Sequence, residues 1–203
     1  AVLDYDVDRW LGRQPNEQPQ RSASSVVIEY VAHPLAKLYV GIGSNNTVAF
    51  DLSDLVSDNA GLDASSLVKI PAADRPVRLR VIDKTSGRPV AVRLHLHGSA
   101  GEYLPPRGYH RKVNPYWFED TYAEHVSGQN QFAYIDGQCL ADLPLGNVFV
   151  EISRGYEVAP IRSCIEIEPD TEEVTFELDK VLDWRERGWV TADTHVHFLS
   201  PQT

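Results

Sequence analysis

A two-residue alternation of apolar and polar positions dominates the second half of the chain. Val77, Leu79 and Val81 alternate with Arg78 and Arg80. Successive side chains on a strand face opposite ways, so this spacing predicts a half-buried strand over VRLRVID. KTSGRP at 84–89 reads as a turn, and VAVRLHLHG at 90–98 as the returning strand. Beyond a long aromatic stretch at 100–130 come FAYIDG, QCLADLP, NVFVEISRG, IRSCIEIEP and EEVTFELDKVL. Each is short and alternating, with Gly, Pro or Asp at the joints. Regular short strands separated by turns predict a mainly β, antiparallel sandwich.

The first third has a different texture. Residues 1–24 are rich in Gln, Asn, Arg and Pro and read as a linker or arm. A smaller α+β segment is expected over 25–75. It contains strands at 25–31 (SVVIEYV) and 35–43 (LAKLYVGIG), an SNNT turn leading into VAFDL, and a short helix over 51–62 with Leu52, Leu55 and Val56 at helical spacing. The sandwich is expected over 76–182, and 183–203 form a junction and a final strand. Asn45-Asn46-Thr47 matches a glycosylation sequon, but nothing else points to a secreted protein, and it reads as a turn.

Composition narrows the classes. A net charge of −10 argues against nonspecific binding to nucleic-acid phosphates. No apolar run approaches the roughly 20 residues of a membrane helix. The acidic start, AVLDYDVDRW, has no signal-peptide core, which favours a cytoplasmic setting and leaves open an export signal already removed. Cys139 and Cys164 fall in different expected strands and read as two buried thiols. The acidic run at 166–179 reads as a solvated face, and only Glu168, Asp170 and Glu172 come close to a calcium loop.

The candidate chemistry lies at 188–197, GWVTADTHVH. On a strand, positions i and i+2 share a face about 6.5–7 Å apart. His195 and His197 can therefore clasp one borderline cation, Zn²⁺, Mn²⁺ or Fe²⁺, the alternative from spacing alone being a strand with surface histidines. Asp193 shares their face as a further ligand or as a partner fixing a tautomer. His95-Leu96-His97 has the same spacing inside the sandwich. It sits mid-hairpin before Gly98 with no carboxylate expected on its face, and it reads as structural.

Two resemblances build on these residues. The turns Gly87-Arg88-Pro89-Val90 and Asp142-Leu143-Pro144-Leu145-Gly146, with Gly155-Tyr156 after them, resemble the carboxypeptidase-regulatory-like or transthyretin-like sandwich over roughly 76–182. The pattern G-W-x-x-x-D-x-H-x-H after a β-domain resembles the opening strand of PHP (polymerase and histidinol phosphatase) metallohydrolases, in particular their carbaryl-hydrolase-like branch. That likeness implies metal ligation by His195 and His197 and a distorted (β/α) barrel of which 203 residues would hold only the first strand. The chain alone is then expected to be inactive, its remaining ligands coming from a barrel in cis or on a second chain. The substrates implied are esters, amides, carbamates or phosphoesters. Exposed rings at Trp184, Trp189 and Phe198 would favour a homo-oligomer.

A second function stays open. Tyr103, Tyr109, Trp117 and Tyr122 in the aromatic stretch form a candidate stacking platform for carbohydrate or a partner protein, the alternative being that these rings plug one end of the sandwich.

Overall fold

The fold is taken from a computed structural model, which describes residues 3–4, 20–21, 33, 35–42, 46–53, 70–109, 125–127 and 130–192. In chain order the strands are β1 (Leu3–Asp4), β2 (Gln20–Arg21), β3 (Lys37–Ile42), β4 (Asn46–Asp51), β5 (Arg75–Asp83), β6 (Val92–Gly98), β7 (His125–Ser127), β8 (Asn130–Ile135), β9 (Gln138–Leu143), β10 (Gly146–Ser153), β11 (Ile161–Ile167) and β12 (Glu173–Leu178). The chain is mainly β, as its alternation predicts. The strand expected at 25–31 lies outside the described residues. So does most of the helix expected at 51–62, of which Leu52 and Ser53 are seen in a helical turn.

Two sheets form the sandwich. One has the order β11-β10-β6-β8-β7, the other β12-β5-β9. A single cluster fills the space between them: Val77, Leu79 and Val81 from β5, Leu94 and Leu96 from β6, Leu143 from β9, Val148, Val150 and Ile152 from β10, and Phe176 and Leu178 from β12. These are the alternate positions along each strand, so the pattern that predicts the strands also sets which face of each is buried. β3 and β4 form an antiparallel hairpin of their own, with Leu38 opposite Phe50.

Two features depart from the expected antiparallel sandwich. β12 pairs with β5 in parallel, Phe176 beside Val81, because the chain crosses from one sheet to the other between β11 and β12. A turn at 168–171 makes that crossing, with Thr171 N–H donating to the Glu168 carbonyl and the Glu168 N–H donating to Thr171 Oγ1. β7, inside the segment expected to be irregular, adds a short edge to β8. Gly137, in the Asp-Gly turn between β8 and β9, has φ +84°, and a β-carbon there would come within 2.5 Å of the Val90 nitrogen. Only glycine satisfies both the turn and that approach.

Candidate functional site

The exit from the sandwich is tied down residue by residue. After β12, Val158 and Lys180 form an isolated bridge. The N–H groups of Val181 and Leu182 both donate to the Glu157 carbonyl, at 2.9 and 3.2 Å. The Glu157 side chain accepts the Trp184 N–H at 2.7 Å. Lys180 Nζ lies 2.6 Å from Asp183 and 3.9 Å from Glu157. A tight turn then closes on itself, Trp189 N–H donating to the Trp184 carbonyl at 2.9 Å. The Lys180 ammonium and the Glu186 N–H hold the Asp183 carboxyl below its ordinary range. Trp189 and Val190 stand 66% and 82% exposed.

An open cleft of about 810 Å³ lies beside this exit. Its walls include Asp83, Arg154, Tyr156, Glu157, Lys180, Thr191 and Ala192. The segment carrying Asp193, His195 and His197 begins at the residue after Ala192 and lies outside the described residues. Glu157 has no motif around it, and its anchoring role was not foreseen. The only signal in the sequence was its place just after the Gly155-Tyr156 turn.

The other H-x-H pair is fully described and is structural. His97 is wholly buried and His95 9% exposed, on the face of β6 opposite the core residues Leu94 and Leu96. His95 Nδ1 lies 2.6 Å from the Gln131 carbonyl oxygen. A carbonyl only accepts, so Nδ1 carries the proton and Nε2 is the acceptor. His97 Nδ1, 3.1 Å from that Nε2, must then be the donor. One chain of hydrogen bonds therefore fixes both tautomers. His97 lies parallel to Phe149 (4.9 Å, 6°) and His95 stacks on Tyr103 (5.7 Å, 25°).

Burial is the main force lowering both imidazoles' pKa values. The Gln131 carbonyl and Glu151 oppose it at His95, while His95 adds to it at His97, which is pushed down to about 2. Both rings are neutral at pH 7. The expectation that this pair has no carboxylate on its face is corrected. β10 runs antiparallel to β6 with Glu151 directly opposite His95. That carboxylate is held by Arg162 at 2.8 Å and Arg93 at 3.5 Å, so it serves a charge network.

Tyr103 is 8% exposed and packed on His95. Tyr109 is half-buried against the core. Both rings serve internal packing rather than an open platform, while Trp117 and Tyr122 lie outside the described residues. The chain returns over β6 from Gly98, with the Leu104 N–H donating to the Leu96 carbonyl. The Gly98 N–H donates to the Glu102 carbonyl, and the Glu102 carboxylate lies against Gly98, where a β-carbon would make it shift. Burial raises that carboxyl's pKa.

Cys139 and Cys164 are free thiols, half-buried rather than buried. Among the described residues, no group of three or more His, Cys, Asp or Glu side chains is arranged to hold a metal ion, and no helix is long and apolar enough to cross a membrane. No protein-family model matches this chain, and no curated protein or solved structure matches it.

Proposed function

We propose that this chain is the N-terminal accessory part of a metal-dependent hydrolase, acting on esters, amides, carbamates or phosphoesters, and that it contributes the first metal-ligand strand through His195 and His197, with Asp193 beside them. One conjunction supports the reading. A β-sandwich hands over to G-W-x-x-x-D-x-H-x-H through a segment fixed to it by Glu157 up to Trp184. A segment meant to deliver ligands to a neighbouring domain needs such an origin, because ligand geometry tolerates little slack.

Two imidazoles and a carboxylate suit Zn²⁺, Mn²⁺ or Fe²⁺ by donor chemistry. Such a cation, when bound, supplies Lewis-acid activation of water for hydrolysis. A catalytic site needs more ligands than these three, and the reading assigns the rest to the remaining barrel, in cis or on a second chain. In this reading the exposed Trp189 and Val190 are the surface that the barrel covers.

The test is Zn²⁺ titration of the 203-residue chain, followed by the NMR signals of the histidine ring protons. The expected result is that His195 and His197 shift together at the lowest metal concentrations. The paired substitution His195→Ala and His197→Ala should abolish the response, while His33→Ala, an exposed site, leaves it intact. Equal metal response in wild type and the double variant would overturn the reading.

A further inference from the structure

Edge strands offer unpaired backbone groups, and proteins usually blunt them. The edges of this sandwich are treated unequally. β9 is covered by its own chain: Pro106 bridges Ala141, the Arg107 N–H donates to the Leu140 carbonyl, and Arg107 Nε holds Asp142 at 2.8 Å. β12 presents Glu173 and Glu177 at its exposed positions. Antiparallel pairing of two copies of β12 about Thr175 would set those like charges against each other.

Among the described residues, β11 has neither device. It lies at the end of its sheet, and among the described residues no backbone hydrogen bond is made on the side away from β10. Ile161 and Ile165, which pack against the core, are left half-exposed there. Its other face reads Arg162, Cys164, Glu166, a self-complementary order.

We propose that β11 is a self-association edge, through which two copies of this chain join as antiparallel strands about a two-fold axis at Cys164. In that register Arg162 of each copy lies opposite Glu166 of the other, and Cys164 lies opposite Cys164. On the inner layer Ile161 meets Ile167, and the two cores become continuous. Arg162 gives its Nε–H to Glu151 at 2.8 Å with its side chain 10% exposed, so in this register the second copy's Glu166 adds a carboxylate beside an existing charge network. Glu166 is exposed. Moving the axis by one residue sets Cys164 against Arg162 or Glu166 and loses the paired match. This inference is independent of the metal-site reading.

Sedimentation equilibrium of the 203-residue chain should show a monomer–dimer equilibrium. Glu166→Arg puts like charges together at both ends of the pairing and should weaken the dimer at least about tenfold. Glu166 is exposed, so the variant should keep the wild-type circular dichroism and melting curve in dilute solution. Diamide takes two electrons and two protons from the facing thiols. It should therefore give a covalent dimer with wild type and Cys139→Ser, and none with Cys164→Ser. A wild type that stays monomeric at its highest soluble concentration overturns the proposal. So does a Glu166→Arg dimer as tight as wild type, or cross-linking that runs through Cys139.

Discussion

Both faces of β6 are buried, but by different means. On the inner face Val92, Leu94 and Leu96 meet apolar side chains from the opposite sheet. On the outer face His95 and His97 are nearly as inaccessible, yet they are polar. Each ring is tolerated there because its proton has a defined destination, the Gln131 carbonyl for His95 and the His95 Nε2 for His97. Apolar burial is forgiving of exact geometry, whereas polar burial holds only while every donor is matched. The two faces should therefore fail differently, the inner through lost volume and the outer through protons.

The largest effect is expected on the inner face. Leu94→Ala removes a side chain that is 1% exposed and belongs to the core cluster. Urea unfolding should show a loss of about 2–5 kcal/mol, with little dependence on pH. A loss under about 1 kcal/mol would mean that the two sheets do not share one close-packed core.

The outer face should break through acid. Its histidines have native pKa values below the ordinary 6.5, His97 near 2. Above pH 6.5 they are neutral in both folded and unfolded chains and contribute no pH dependence. As pH falls through 6.5, the unfolded chain takes up protons that the folded chain refuses, so stability is lost with acid. For His97 the loss is about 2 kcal/mol by pH 5, with the drop continuing toward its native pKa. Asp83 and Asp183, held below their ordinary range by hydrogen bonds from Ser86 and Lys180, also lose stability with acid, but in a window near 4. The histidine contribution is thus separable. His97→Phe should be less stable at pH 7, because the His95 Nε2 acceptor loses its donor, yet its stability should change less between pH 6.5 and 5. An unchanged slope would show that His97 titrates normally.

The same contrast explains what was legible in the sequence. Alternation depends on neighbours within a strand, and it located β3 to β6 and β8 to β12 to within a few residues. The same alternation puts Leu94 and Leu96 on one face of β6 and His95 and His97 on the other, which the structure shows to be the inward and outward faces. It could not mark the outward face as buried, because that burial comes from Tyr103 folding back through the Gly98 turn. Nor could it place Glu151 across from His95, since β6 and β10 are neighbours in space and far apart in the chain. The parallel entry of β12 has the same cause: pairing between distant strands is a tertiary property. As for the candidate site, the sequence supplied Asp193, His195 and His197 with their spacing, and nothing around Glu157 signalled that it anchors the segment leading to them.

The smallest effect should come from that anchor, and it tests a third kind of order. Glu157→Gln keeps a side-chain oxygen able to accept the Trp184 N–H but removes the charge that faces Lys180 across 3.9 Å. A partly exposed ion pair of that length contributes roughly 0–1 kcal/mol, so global unfolding should barely move. Glu157→Ala removes the acceptor as well. Its global cost should stay near 0.5–1.5 kcal/mol, concentrated on one segment rather than shared by the fold. Hydrogen exchange at the Trp184 amide should accelerate strongly in Glu157→Ala and only slightly in Glu157→Gln, while amides of β6 and β10 keep their protection. If both variants exchange alike at Trp184, the carboxylate oxygen is not what holds the exit. Acceleration spread through β10 would mean instead that the exit and the sandwich open as one unit, leaving the segment before Asp193 without an anchor of its own.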